Sequence, residues 1–422
     1  MIPFRKASLA LAVAAFALLL ISLALHRAAL WQSAAVACTV GLAIGAGAVP
    51  ALKSYQYTFW IVVAVVAAMI YPSAFLTWGN FDLRNKWLIL LVVELVMFGM
   101  GTQMSLKDFA GLVKMPQGVM VGVVCHFSVM PMVGVALTKN FSFPPEIAAG
   151  IILIGSCSSG LASNVMAYLA RANLALSITV TAVTTMLAPF MTPLLMKFLA
   201  GALVDINFFA MMTETIKIVI VPIGAALLHD YLKHASPRGW RMVMGIAIVA
   251  VAWLAFLALG GWQFINVRLV ANAVTALGLL GYLLGAVVVG LLYHLLTLRI
   301  ASLDSRMPLF SMAGIVYFTT VTTAAGRDNL LKVGGLLFLA AVLHNLAGYF
   351  FGYWLSRAAQ LDKNSARSVA FEVGLQNGGL ATGLAGAMGK LGTVGLAAAI
   401  FSPWMNISGS MLANFWRKRP VK

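Results

Sequence analysis

The sequence predicts an all-α polytopic membrane protein. Of its 422 residues, 62% are hydrophobic and only 9% are charged, which is typical of a chain that crosses a bilayer many times. The apolar runs are separated by short loops that leave no room for a sizeable soluble domain. The net charge of +17 does not indicate nucleic-acid binding, because Lys and Arg lie at the ends of the apolar runs.

At about 20 apolar residues per crossing, we predict fourteen spans. They lie near residues 7–25, 29–52, 58–77, 88–104, 119–137, 147–169, 175–202, 207–229, 242–260, 270–297, 307–325, 333–356, 368–388 and 394–416. Most Lys and Arg residues near span ends, including Lys53 and Lys422, fall on the side of the two termini. This bias predicts cytoplasmic termini in an inner (plasma) membrane.

Two of these spans contain clusters of polar residues and glycines. Residues 371–382 include Glu372, Gln376 and Asn377, and residues 155–164 carry four serines and Asn164. Unpaired backbone groups are costly in hydrocarbon, so such interruptions survive where they are buried in protein or line a wet cavity. A carboxylate at that depth, Glu372, is expected to be functional.

The two polar stretches resemble each other. Residues 159–163 recur as residues 378–382, and the same offset of 219 places His126 opposite Asn345. The two spans are predicted to run in opposite directions across the membrane. Interrupted spans of opposite direction are typical of inverted repeats and indicate a binding site near the midplane.

The residue types indicate a site that binds a cation and an anion next to each other. Ser177 and Thr181 lie four apart and share a helical face. Hydroxyl and amide oxygens with one carboxylate suit a hard monovalent cation, and half-helix N-termini suit an anionic group. The alternative is that these hydroxyls bond their own backbone. A second acid within a span, Glu94, is either an ion or proton carrier or paired across helices.

Several motifs resemble those of the bile acid:sodium symporter family. In chain order they are Met97-Phe-Gly-Met-Gly101, Ser105-Leu-Lys-Asp-Phe109, Ala162-Ser-Asn-Val-Met-Ala-Tyr-Leu-Ala170 with Ala175-Leu-Ser177, Glu372-Val-Gly-Leu-Gln-Asn377 and Asn406-Ile-Ser-Gly409. The resemblance covers about 58–235 and 305–416. It implies a ten-helix inverted-repeat fold with two crossing broken helices, a core domain and a panel domain, here with about four additional transmembrane helices.

The resemblance also implies a function and a set of site residues. Family members import organic anions such as bile acids, pantoate or pyruvate with sodium. The implied ligands of one sodium ion are Ser163, Asn164, Ser177, Thr181 and Glu372. Those of a second are Glu372, Gln376 and the carbonyls of Val373 and Leu375. The residues implied to contact or flank the substrate are Gly160, Leu161, Asn377, Gly378 and Asn406.

This chain departs from the family pattern at several positions, and two of them belong to the implied sites. His126 stands where the family has a glutamine ligand for the second sodium, and Leu161 replaces a threonine. Imidazole is a poor ligand for an alkali cation and titrates near physiological pH. Two interpretations of His126 stay open. Either a proton substitutes for one sodium ion, or a neutral His126 adjusts the sodium site.

The predicted organisation has four segments. Residues 1–52 form an extra N-terminal helix pair, 53–237 the first half of the transporter with broken helix 147–169, 238–302 an inserted helix pair, and 303–422 the second half with broken helix 368–388. Each added pair preserves the orientation of the spans that follow. The oligomeric state stays open.

We therefore predict a secondary active transporter, and not an enzyme, that imports a small organic anion by alternating access with one or two Na+ ions. The anion is bile-acid-like, pantoate-like or another small carboxylate. The alternatives are a proton-coupled transporter of the same fold and a non-transporting membrane ligand sensor. The expected partners are the anion and the lipid bilayer, with no nucleic acid.

Overall fold

The computed structural model describes residues 2–49, 52, 55–419 and 421, and these are helical almost throughout. Lys53, where the second predicted segment begins, and Lys422 lie outside the described residues. The helices in chain order are α1 (Ile2–Ala24), α2 (Ala28–Gly45), α3 (Gln56–Ile70), α4 (Lys86–Gly101), α5 (Gly111–Lys114), α6 (Pro116–Asn140), α7 (Pro145–Ser156), α8 (Ala162–Leu169), α9 (Leu174–Ala200), α10 (Phe208–Thr215), α11 (Val221–Lys233), α12 (Pro237–Phe256), α13 (Trp262–Arg268), α14 (Ala271–Arg299), α15 (Leu303–Ala325), α16 (Arg327–Ala358), α17 (Lys363–Gly374), α18 (Gly378–Ala387) and α19 (Gly395–Arg417).

The predicted polytopic helical fold is confirmed. Ten helices or continuous helix runs of the described chain are long and apolar enough to cross a membrane. The remaining predicted crossings correspond to the shorter α3, to α4, and to two broken spans, α7 with α8 and α17 with α18. A π-helical turn at Ile216–Ile220 joins α10 to α11, and another at Leu257–Gly261 joins α12 to α13.

The predicted span at 58–77 is too long. Helix α3 ends at Ile70, and a 3-10 turn (Pro72–Phe75) and a hairpin of β1 (Thr77–Trp78) and β2 (Phe81–Asp82) follow. The residue before a proline is disfavoured in the α conformation. Tyr71 accordingly has φ −122° and ψ 58°, so Ile70, two residues before Pro72, is the last residue of the helix.

The helices form a core and a panel. We call α6 to α9 and α16 to α19 the core, because α16 packs along α17 and α6, while α6 packs along α7 and α9. We call α3, α4, α11 and α15 the panel, in which α15 contacts α3 and α4, and α4 contacts α11. Both broken spans belong to the core.

The two additional helix pairs extend the panel at its opposite ends. The pair α1 and α2 packs on α3, and α14 of the inserted pair packs on α11 and α12. Helices α1 and α2 approach closely through glycines. A Cβ added at Gly41 would lie 2.8 Å from the carbonyl oxygen of Ser8, as expected for small residues at a helix interface in lipid.

Candidate ion and substrate site

The two helix breaks cross at the level of the main chain. Ser159 and Gln376 form an antiparallel β-bridge, and Gly160 N donates to the carbonyl oxygen of Leu375 at 2.9 Å. This pairing satisfies backbone groups that the breaks leave without intrahelical partners. Because the bridge is antiparallel, the two broken spans run in opposite directions at the crossing.

Residues that the repeat predicts to be equivalent also meet at the breaks. Asn377 N donates to the carbonyl oxygen of Ser158, 219 positions earlier, at 2.8 Å. His126 Nε2 lies 2.8 Å from the carbonyl oxygen that follows α7, and Asn345 Nδ2 donates at 2.8 Å to the carbonyl at the end of α17. His126 and Asn345 therefore contact the break of the broken span in their own half.

The five predicted ligands of the first sodium ion lie together. Glu372 is fully buried, and its carboxylate accepts hydrogen bonds from Ser177 Oγ and, at 2.8 Å, from Thr181 Oγ1. Asn164 Oδ1 lies 2.9 and 3.2 Å from the same two hydroxyl oxygens. Ser163 Oγ lies 3.3 Å from Thr181 Oγ1. The two α9 hydroxyls therefore bond the carboxylate and Asn164 and not their own backbone.

Glu372 has no basic partner among the residues that the structure describes. None of the ion pairs in the described part of the chain includes it. A buried carboxylate without a counter-charge must take up a cation or a proton. No group of three or more His, Cys, Asp or Glu that could hold a metal ion occurs among the described residues. The cluster instead offers neutral oxygens around one carboxylate, a donor set that favours a monovalent hard cation.

The residues of the predicted second sodium site lie beside the first. Gln376 Nε2 donates to the carbonyl oxygen of Val373 at 2.7 Å, and Gln376 Oε1 is buried with no hydrogen-bond partner among the described residues. The Leu375 carbonyl is paired across the crossing. His126 Nδ1 lies 2.9 Å from the carbonyl oxygen of Glu372. The unpartnered oxygen of Gln376 is therefore available to a cation.

Both ring nitrogens of His126 face carbonyl oxygens, at 2.8 and 2.9 Å. A carbonyl oxygen only accepts, whereas a neutral imidazole donates from one nitrogen. In a neutral ring, the nitrogen without a hydrogen would therefore face a carbonyl oxygen, and the lone pairs of the two atoms would repel each other. A ring protonated on both nitrogens would donate to both carbonyl oxygens, but it would also place an uncompensated positive charge in a fully buried position.

Four of the five predicted substrate residues lie at the same crossing. Leu161 directly precedes α8, and Asn377 caps α18, with its Oδ1 accepting from Leu380 N at 3.0 Å. Gly378 is the first residue of α18, and Gly160 lies in the crossing itself. Asn406 is half-buried on α19. Helices α8 and α18 thus begin at one place, where their N-terminal amides can meet an anion.

Two threonines of α9 belong to the site but were not predicted. Thr184 Oγ1 accepts from Ser159 N at 3.3 Å, and Thr192 Oγ1 donates to the carbonyl oxygen of Ser156 at 2.8 Å. Both are buried. The signal was present in the sequence, because Thr184 lies three residues beyond Thr181 and continues the polar face of that helix.

Known proteins are similar to this chain in sequence. The pattern described as Sodium Bile acid symporter family matches residues 89–277. The protein named "Uncharacterized sodium-dependent transporter YocS" from Bacillus subtilis (strain 168) is 33% identical over 367 residues, which cover 87% of this chain and 92% of that protein. The chain belongs to the sodium bile acid symporter family. It is therefore a transporter and not an enzyme.

For two more distant relatives, the match covers a smaller share of the relative's own length. The probable sodium/metabolite cotransporter BASS1, chloroplastic, of Arabidopsis thaliana is 28% identical over 87% of this chain and 75% of that protein. The ileal sodium/bile acid cotransporter of Homo sapiens is 26% identical over 68% of this chain and 65% of that protein. The family match also includes residues 238–277, part of the inserted pair that motif comparison left without a counterpart.

A solved structure resembles the whole chain. The sodium proton antiporter MjNhaP1 from Methanocaldococcus jannaschii matches with a TM-score of 0.51 and 12% identity, covering 94% of this chain and 99% of that one. At this identity the likeness concerns the fold alone, and it supports the helical transporter fold for this member of the symporter family.

Proposed function

We propose that this protein is a secondary active transporter that imports a small organic anion with sodium by alternating access. It would lie in the inner membrane with both termini in the cytoplasm. Residues 53–237 and 303–422 would be its two inverted halves, and 1–52 and 238–302 its added helix pairs. The names of its relatives, which include sodium-dependent and sodium/bile acid transporters, support this assignment.

The observation that carries the proposal is the environment of Glu372. Its carboxylate is fully buried at the crossing, within hydrogen-bond distance of Ser177 and Thr181, and has no basic partner among the described residues. A sodium ion bound between this carboxylate and the neighbouring oxygens would neutralise it. The positive N-terminal ends of α8 and α18 would then attract an anion without an adjacent negative charge.

Movement of the core against the panel would carry both ligands. The broken helices and their crossing lie wholly within the core, and main-chain bonds join them. A core that moves as one unit would carry the ions and the anion from one side of the membrane to the other. This is how inverted-repeat transporters alternate access around a fixed site.

Uptake by reconstituted protein tests the proposal. Proteoliposomes should accumulate radiolabelled small carboxylates, such as pantoate, pyruvate or a bile acid, when an inward sodium gradient is imposed. Dissipating the gradient should stop accumulation. Uptake that does not respond to the sodium or proton gradient would contradict the proposal, and saturable anion binding without any uptake would favour the ligand-sensor alternative.

A second candidate is coupling to protons through His126. It is favoured by the two carbonyl contacts of its ring, each of which requires a donating nitrogen. In that case the charged ring would occupy the place of the second sodium ion, and one sodium and one proton would accompany the anion. Uptake driven by an inward proton gradient at constant sodium concentration distinguishes the two candidates.

A further inference from the structure

A large apolar cavity is lined jointly by the panel and the inserted helix pair, beside the contact between α11 and α14. Its volume is about 1170 Å³, and its walls come from α4, α11 and α15 on one side and from α12, α13 and α14 on the other. Leu91, Leu292 and Phe310 on its walls are 64%, 54% and 46% exposed. The cavity therefore opens toward the lipid and lies apart from the crossing of the broken helices.

One carboxylate lies on the wall of this cavity. Glu94, on α4, is the single acidic or basic side chain that the cavity lining contributes in the described chain. Its Oε1 is buried and has no hydrogen-bond partner among the described residues. A buried carboxylate oxygen without a partner is costly in an apolar environment. A polar or cationic group of a ligand in the cavity would remove this cost.

A basic residue of the neighbouring π-helical turn, Lys217, already has other partners. Lys217 Nζ binds Glu214 Oε1 at 2.8 Å and lies 5.2 Å from the centre of the Tyr282 ring. None of the described ion pairs includes Glu94. Of the two alternatives for Glu94, an ion pair across helices is therefore not found among the described residues.

Aromatic rings provide much of the remaining wall. Six line the cavity: Trp87, Phe98, Trp262, Tyr282, Tyr293 and Phe310. Aromatic faces attract organic cations through the ring quadrupole, and more strongly where water is excluded. A lipid acyl chain would fill the volume but leave the Glu94 oxygen unpaired. An apolar molecule with one positive charge would both fill the volume and pair with the Glu94 oxygen.

We propose that this cavity is a binding site for an apolar organic cation, with Glu94 as its counter-charge. The ligand class is an ammonium or phosphonium ion that bears alkyl or aryl groups and enters from the bilayer. The site is formed jointly by the panel and by the inserted pair, and it is separate from the Glu372 site.

The test uses two probes of the same shape and opposite charge. Binding of radiolabelled tetraphenylphosphonium and tetraphenylborate to the full-length protein in nanodiscs is measured, with empty nanodiscs as background. We expect saturable binding of the phosphonium ion and none of the borate. Equal binding of the two ions, or no saturable binding of the cation, would overturn the proposal.

Three variants locate the binding. Glu94→Gln keeps the shape of the side chain and should weaken phosphonium binding by about tenfold or more. Gly285→Leu should weaken it by filling the cavity, since a Cβ at Gly285 meets nothing within 4 Å. Gly245→Leu is the matched control, because its Cβ also meets nothing within 4 Å and it lies outside the cavity lining. Unchanged affinity in Glu94→Gln would refute the assignment, even if Gly285→Leu failed to fold.

Discussion

His126 Nδ1 lies 2.9 Å from the carbonyl oxygen of Glu372. The other nitrogen of the ring contacts the carbonyl oxygen of Cys157 at 2.8 Å, so a single side chain connects the breaks of both broken spans. The ring fills the position at which a glutamine ligand is expected for a second sodium ion. Its chemistry should therefore decide how many sodium ions accompany the anion.

Replacing His126 by Gln should increase sodium dependence. An amide oxygen is a ligand for a hard cation, and an imidazole is a poor one. We expect the Hill coefficient for sodium to rise from about 1 toward 2, and proton-driven uptake to fall. His234→Gln, at an exposed position, serves as the control. If sodium and pH dependence both stay unchanged, His126 has only a structural role.

Glu372→Gln should abolish uptake and also the stabilisation by sodium. Sodium at 100 times its Kd should stabilise the native protein by about 2.7 kcal/mol, seen as a higher Tm in sodium than in choline chloride. The variant should fold but show no such difference. Glu146→Gln, which breaks the ion pair with Lys390, should keep this difference in Tm. If Glu372→Gln still has a higher Tm in sodium than in choline chloride, the sodium ion binds at another site.

Much of the fold follows from the sequence because bilayer thickness and hydropathy fix the length of each span. The helix breaks were also predicted, since Glu372 and the serines of residues 155–164 cannot face lipid. The early end of α3 was missed because the apolar run continues past Pro72 as a 3-10 turn. Hydropathy alone does not distinguish a helix from an apolar turn.

The contacts between distant helices could not be predicted in the same way. The hydrogen bonds of Ser177 and Thr181 depend on α9 packing beside the end of α17, almost 200 residues later in the chain. From the sequence alone, each hydroxyl could equally well donate to a backbone carbonyl of its own helix. The same holds for His229 and His294, which form a contact only because α11 packs against α14.

Gly160→Ala should destabilise the crossing. A Cβ at this position would lie 2.8 Å from the carbonyl oxygen of Gln376, and a backbone atom in a main-chain bridge cannot move away freely. We expect a loss of roughly 1–3 kcal/mol, the range for overpacked sites, with a lower Tm and reduced uptake. Gly335→Ala is the control, since its Cβ would meet nothing within 4 Å. Equal Tm values for the two variants would contradict a tight crossing.

Asp304→Asn should loosen the attachment of the inserted helix pair to the panel. Asp304 accepts hydrogen bonds from Tyr293 OH at 2.7 Å and Lys233 Nζ at 2.9 Å, and its Oδ2 lies 3.2 Å from His229 Nε2. His229 is buried, and its Nδ1 lies 3.2 Å from His294 Nδ1. The carboxylate therefore joins α11, α14 and the start of α15.

An amide at residue 304 keeps the shape but loses the charge and turns one acceptor into a donor that faces other donors. Leaving buried polar groups unpaired costs about 1–3 kcal/mol, so the Tm should fall and proteolysis should cut the loop between α14 and α15 faster. Asp328→Asn changes an acid that is 87% exposed and should leave both measurements unchanged. If Asp304→Asn is as stable and as protease-resistant as this control, apolar packing alone holds the inserted pair in place.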